Sequence, residues 1–263
     1  MNASATRFSA PDWCFFREGT DPAAYYRQLR ALGITGVEMV DPVRRAAARA
    51  AGLEILNIAG PGMEVGLNRR EHHADLVPRI EAVIDEAAAE GIPQVIVFSG
   101  SRGGQADGEG IANCVTALKP LAWRAEAAGV TLAFEMLNSH DHRDYQGDRS
   151  GYGFAVVDAV GSSAVRVLYD CYHMARMGED LERDIAARVD AICHMHVANP
   201  PDRSAPRDDG TIDWRVLRAR AQQAGYRGYW GLEFLPRGDV MAQIATAVTA
   251  MSDAAKAPAS TSA

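Results

Sequence analysis

The chain has 263 residues, of which 48% are hydrophobic and 23% charged, and its formal net charge is −7. That length suffices for one large α/β barrel or two small domains around a sizeable core. The acidic balance disfavours nucleic acid and anionic membranes as main partners, and no run approaches the roughly 18 apolar residues of a membrane span.

The opening stretch, MNASATRFSAPDW, has no apolar core of the kind a secretory signal carries. Cys14, Cys114, Cys171 and Cys193 form no CxxC pair and sit in or beside apolar runs. Reduced, buried thiols are expected, which fits a cytoplasmic protein. The first strand is expected around 8–16 and is the least regular. A helix over 22–32 follows, with Pro22 after Asp21 as its first-turn signal. Further strands are expected at 36–40, 54–58, 94–99, 131–136, 165–170, 192–197 and 229–234. Helices fill the gaps, among them 71–90, 111–128 and 214–224. A weak repeat runs through this order: alanine-rich helical segments end in Gly33, Gly52, Gly91, Gly129 or Gly225, and a short apolar run comes next. Glycine suits the left-handed residue that closes a helix. Apolar strands alternating with helices indicate parallel βα units. Eight such units favour a single closed (β/α)8 TIM barrel over an open sheet, and no GxGxxG follows the first strand. One barrel domain over 1–253 is expected. The Ala/Pro/Ser/Thr-rich 254–263 should be a fraying tail. Long polar loops at 138–153 and 199–210 follow the fifth and seventh strands, where barrel enzymes place substrate contacts.

Four strands end in ligand-type residues: LAFE at Glu135, VRVLYD at Asp170, ICHMH at His196 and YWGLE at Glu233. Successive members lie roughly 30 residues apart, about one strand-plus-helix unit of a barrel. An acid at the mouth of an apolar strand is costly unless a cation pairs with it. The bland reading is that each acid caps the next helix and each histidine is structural. Four in register instead suggest convergence on one divalent ion. Residues two apart on a strand share a face, so His194 lies one layer below His196, as core or as support for a ligand. Three carboxylates with one imidazole suit Mn2+, Mg2+ or Co2+ better than thiolate-loving metals. Glu38 and Asn57 end the second and third strands and could support the site. Trp13, Phe15 and Phe16 could wall the pocket, although barrel core is the plainer explanation. His140 and His142 are expected on a solvated loop.

DCYHMARMGEDL resembles the D-x-YHM…GD segment of hydroxypyruvate isomerases, GYRGYWGLEFLP their GY-x-G-x-x-GLEY-x-P segment, and HMHVANPPDR their H-x-Q-x-A-D-x-PGR. The resemblance covers most of the chain and places it among the xylose-isomerase-like barrels of sugar isomerases and epimerases. It implies that Glu135 and Glu233 both touch the metal and shuttle protons, that Asp170 is a metal ligand, and that His173 and Arg203 contact substrate. The implied reaction is a 1,2-proton transfer through a cis-enediolate on a small hydroxy-carbonyl compound, with hydroxypyruvate and tartronate semialdehyde as the named pair. His196 stands where hydroxypyruvate isomerases usually carry glutamine and looks more like the ketose 3-epimerases. Gly-Thr-Ile-Asp at 210–213 and the charged loop after Glu135 also depart from the pattern. The alternatives are a ketose 3-epimerase, a DNA-repair endonuclease on the same barrel, and a non-catalytic sugar-binding barrel. The endonuclease would need histidines at the exits of strands three and four, which read NIAGPG and FSGSRG. A small-molecule substrate is the expected partner, with homo-oligomer formation left open.

Overall fold

The computed structural model describes residues 6–252, so the expected tail at 254–263 lies outside the described residues. Nine parallel strands form one sheet: β1 (Arg7–Pro11), β2 (Ile34–Glu38), β3 (Glu54–Ile55), β4 (Asn57–Ala59), β5 (Gln94–Phe98), β6 (Thr131–Glu135), β7 (Val165–Asp170), β8 (Ile192–Val197) and β9 (Tyr229–Leu232). Their spatial order is β3-β2-β1-β9-β8-β7-β6-β5-β4. The expected third strand is broken at Leu56. Its first half pairs with β2 and its second with β5. The backbone bridges this break: Leu56 N–H donates to Val37 O (2.9 Å) and Met39 N–H to Asn57 O (3.0 Å). Split between two neighbours, this stave closes the barrel.

Three strands end at least two residues earlier than their apolar runs suggest, β9 among them at Leu232. β1 stops at Pro11, and a one-turn helix, α1 (Asp12–Phe15), takes over. Asp12 is buried there and accepts from Tyr26 Oη (2.7 Å) and Arg44 Nε (3.1 Å). β2 stops at Glu38 because Met39 turns the chain with a φ of 50°.

The helices behave as their end signals suggest. In α2 (Pro22–Ala31), Asp21 accepts from the Ala23 and Ala24 amides, satisfying donors that lack intrahelical partners. α3 (Pro42–Ala50) is capped by Asp41 in the same way. α4 (Arg70–Glu90) and α5 (Asp107–Ala128) end at Gly91 and Gly129, both left-handed. α5 starts one turn before the expected 111. Leu76, Ile80, Ile84 and Ala87 form the buried stripe of α4, at the spacing of one helix face. No helix among the described residues is long and apolar enough to cross a membrane.

Alternation along the strands creates two cores. Val95, Val97, Leu132, Phe134, Val165, Val167 and Tyr169 face outward and pack with the helices. Ile96, Phe98, Ala133 and Leu168 form a small second cluster from β5, β6 and β7, inside the barrel. Glu135 is two residues beyond Ala133, and Asp170 two beyond Leu168, so both continue the inward face at the mouth. On the opposite side the interior is polar, with buried Ser9, Glu38, Asn57, His194 and His196.

Candidate active site

The structure brings together all four strand-end residues. Ligand atoms of Glu135, Asp170, His196 and Glu233 lie within 4.8 Å of one another, and all four residues are buried. His196 Nδ1 stands 3.3 Å from Glu135 Oε1 and 3.2 Å from Glu233 Oε2. Its other nitrogen, Nε2, is 2.8 Å from Glu38 Oε2. An ionised carboxylate can only accept, so Nε2–H donates to Glu38, while Nδ1 faces two more carboxylates. Against the cost of burial, Glu233, Glu38 and Glu135 together raise the imidazole pKa well above its ordinary value. With Nδ1 deprotonated the ring turns a lone pair toward both carboxylates, so the position calls for a proton on Nδ1 or a cation between them.

Asp170 caps the short helix α7 (Cys171–Arg176) and faces the cluster at the same time. Oδ1 accepts from the amides of Tyr172 (2.7 Å) and His173 (3.1 Å). Oδ2 has no hydrogen-bond partner among the described residues, nor do His173 Nε2 and His196 Nδ1. These buried, unpartnered atoms and the oxygen-rich donor set fit a divalent cation of the Mg2+ or Mn2+ type.

The charges around the cluster are uneven. Burial raises the Asp170 carboxyl to about 7, against the opposing pull of Arg203. Burial also raises Glu135, and among the described residues only His196 reaches its carboxylate. Glu233 is equally buried, yet His196 and Arg203 hold it well below the usual carboxylate range. It accepts from Trp13 Nε1 (3.0 Å) and from Arg203 Nη2. Arg203 sits over the cluster with a left-handed φ of 53° and reaches to 3.7 Å from Asp170 Oδ2. Its guanidinium lies 5.3 Å from the Trp13 ring centroid and 5.2 Å from that of Tyr172, within cation–π range.

His173 is fully buried, and the Asn138 amide donates to its Nδ1 (3.0 Å). The ring therefore carries its proton on Nε2, 3.6 Å from Asp170 Oδ2. Burial and the nearby Arg203 push its pKa well below the ordinary imidazole value, so it stays a neutral donor. The sequence placed His140 and His142 on a solvated loop. His140 is exposed, but His142 is half-buried with its ring 5.4 Å from that of His173. The loop is anchored through Gln146, which takes Asn68 Nδ2 at 2.7 Å and donates to Ala106 O at 3.1 Å.

Three features were indistinct in the sequence. Trp13 is half-exposed and also bonds Glu233 through its indole. Glu38 contacts the ring of His196. Gly231 in β9 leaves room for that contact, since a Cβ there would lie 2.5 Å from Glu38 Oε1 and 2.6 Å from His196 Cδ2. A glycine between Trp230 and the strand-end Glu233 was the available signal.

A family model described as "Xylose isomerase-like TIM barrel" matches residues 26–251. The chain belongs to this family. It is 31% identical over 226 residues to the 2-oxo-tetronate isomerase of Cupriavidus necator, covering 80% of this chain and 85% of that protein. It is 28% identical over 108 residues to the hydroxypyruvate isomerase of Escherichia coli K12, covering 41% of this chain and 42% of that one. The crystal structure of an AP endonuclease, family 2, from Brucella melitensis superposes with a TM-score of 0.81 at 24% identity, covering 94% of this chain and 100% of the other. At that identity the likeness concerns the fold alone. The exits of β4 and β5 carry no histidine here.

Proposed function

We propose that this protein is a divalent-cation-dependent isomerase of small 2-keto acids with a neighbouring hydroxyl, of the hydroxypyruvate or four-carbon 2-oxo-acid kind. The observation that carries this reading is the pair of buried glutamates, Glu135 and Glu233, on either side of the unpartnered His196 Nδ1, with Asp170 completing the set. The isomerase names of the relatives support the reaction class.

Glu135, Asp170, His196 and Glu233 would hold the cation. Bound there, it supplies electrophilic polarisation of the carbonyl and offsets the negative charge of the enediolate. The chain's own groups do the rest. Glu135 is the readier proton acceptor, because burial raises its proton affinity and few donors hold it ionised. Glu233 is held ionised by Trp13, His196 and Arg203. A substrate carboxylate that draws Arg203 toward itself frees Glu233 to take up the substrate's hydroxyl proton and deliver it to the adjacent carbon, while Glu135 returns the proton it removed to the former carbonyl oxygen. Arg203 would then face the acid group as a planar fork. His173, fixed by Asn138 as a neutral Nε2–H donor, can hydrogen-bond a substrate oxygen as charge develops.

The test is metal analysis of the purified protein, followed by incubation with hydroxypyruvate and four-carbon 2-oxo acids in D2O. Deuterium at the carbon next to the carbonyl, an aldehyde-acid or isomeric keto-acid product, and loss of both on chelation are expected. Inversion at carbon three of a ketose, with the carbonyl unmoved, would instead establish a ketose 3-epimerase. No exchange into any keto acid or ketose with the native ion present would refute both.

A further inference from the structure

Beneath the four-residue cluster lies a second buried group that the proton-transfer chemistry does not use. Glu38, at the end of β2, is fully buried and receives donors on both oxygens. Ser9 Oγ donates to Oε1 at 2.7 Å. Asn57 Nδ2 and His196 Nε2 donate to Oε2 at 2.6 Å and 2.8 Å, and His194 Nε2 stands 3.1 Å from the same oxygen without a hydrogen bond. These partners come from β1, β4 and β8, so the carboxylate ties three strands inside the barrel. Burying an ionised carboxylate this deeply is costly without such a complete shell of donors. An apolar residue would fill the same space at lower cost, so the charge calls for a reason.

The reason lies in the two nitrogens of His196. An imidazole in water exchanges between two tautomers, and only one leaves Nδ1 free as a lone pair. An acceptor locked against Nε2 selects that tautomer and makes the opposite nitrogen more basic. We propose that Glu38 is a positioning residue that fixes His196 as the Nε2–H tautomer, so that Nδ1 is presented to a divalent cation held with Glu135, Asp170 and Glu233. Gly231 belongs to the same device, because a side chain there would strike both Glu38 and His196. Asn57 and His196 both donate to one Glu38 oxygen, and His196 Nε2 is committed to that bond, which disfavours a second cation among Glu38, His194 and His196. The inference rests on the proposed cation site, but the Glu38–His196 bond can be tested without it.

The experiment uses full-length protein with 15N-labelled histidine, Glu38→Gln and Glu38→Leu variants, and titration with Mg2+ for NMR and Mn2+ for calorimetry. In the Mg2+-loaded wild type, His196 should show a proton on Nε2, strongly deshielded by Glu38, and none on Nδ1. Gln can still accept from Nε2 through its carbonyl while donating to Ser9, so Glu38→Gln should keep the tautomer and lose about tenfold in Mn2+ affinity. Glu38→Leu removes the acceptor; an Nδ1–H population should appear and affinity should fall about a hundredfold. If Glu38→Leu does not fold, the wild-type tautomer and the Glu38→Gln series carry the test. An Nδ1–H signal in the loaded wild type would overturn the proposal. So would Mn2+ affinity within threefold of wild type in Glu38→Gln and in any folded Glu38→Leu. Binding of two ions per chain, with one lost in Glu38→Gln, would overturn it in favour of an inner metal site. If the wild type binds no cation, the proposed function fails. The Nε2–H signal of the metal-free protein and its shift in Glu38→Gln then still decide whether Glu38 holds His196; an unmoved signal refutes the bond.

Discussion

Replacing Arg203 by methionine separates the two tasks assigned to this side chain. Arg203 is the cation nearest the buried carboxylates: it bonds Glu233 and stands 3.7 Å from Asp170. A unit charge pair at that separation is worth about 4 kcal/mol at an effective dielectric constant of about 20. Removing one partner of a buried pair usually costs about 3–5 kcal/mol, because the remaining charge is left uncompensated. Methionine keeps an apolar chain of similar reach, so packing losses should be small beside the loss of the guanidinium and its contacts with Trp13 and Tyr172. The metal-free variant should therefore lose about 3 kcal/mol, which for a chain of this size lowers Tm by roughly 6–12 °C. A divalent cation among the carboxylates replaces the missing charge, so Mn2+ should raise the variant's Tm more than that of the wild type. The second task appears in the kinetics. Loss of the fork should cost about 2–5 kcal/mol in kcat/KM for a keto acid, or roughly thirtyfold to several thousandfold. Deuterium exchange into a neutral hydroxy-ketone should fall by less than about tenfold. Differential scanning fluorimetry with and without chelator, together with exchange rates on both substrates, measures all three effects. Equal Tm in chelator, or equal losses on charged and neutral substrates, would refute the reasoning.

Glu135→Gln should lower deuterium exchange by about a hundredfold to ten-thousandfold while the barrel stays folded; full activity would remove Glu135 from proton transfer. Gly231→Ala should destabilise by about 1–3 kcal/mol through overpacking against Glu38 and His196, read as a lowered denaturation midpoint, and an unchanged midpoint would contradict the close approach. Asn138→Ala deletes the side-chain contact to His173 Nδ1 at 2.6 Å but leaves the backbone donor, so kcat should fall less than tenfold, whereas His173→Ala should cost about a hundredfold or more. All four cysteines are free, three are buried, and burial raises both Cys114 and Cys193 to about 12. The native protein should therefore react slowly with a thiol reagent at neutral pH and the denatured chain at once; rapid native labelling would contradict the packing.

Much of the barrel is legible in the chain because its units are local. Asp21–Pro22 and Asp41–Pro42 start helices, Gly91 and Gly129 end them, and the apolar runs that follow become strands. These signals act over a few residues and need no knowledge of the rest of the fold. The departures occur where a distant partner decides. The run 54–58 reads as one strand, but its halves pair with different neighbours, β2 and β5, and the switch occurs at Leu56. The run 8–16 reads as a long strand, but Tyr26 and Arg44, from two later helices, hold Asp12 in a turn. Local pattern carries no information about either contact.

The site divides along the same line. Period-two alternation and strand position place Glu135, Asp170, His196 and Glu233 at one rim, so their meeting can be anticipated from spacing. Alternation also puts His194 below His196, and Glu38 at the end of its own strand. It does not say which way an imidazole turns. That orientation is set across the barrel by Glu38, 158 positions from His196, and by the missing Cβ of Gly231. The same holds for Arg203. Its place in a polar loop after β8 suggests a substrate contact, but not the turn at φ 53° that brings it between Trp13 and Tyr172 and onto Glu233. A sequence can thus indicate which donors share a rim. The protonation pattern that makes the rim attract a cation comes from groups one layer below and one loop above. Changes at Glu38, Gly231 and Arg203 therefore test the chemistry without altering any of the four residues proposed to hold the ion.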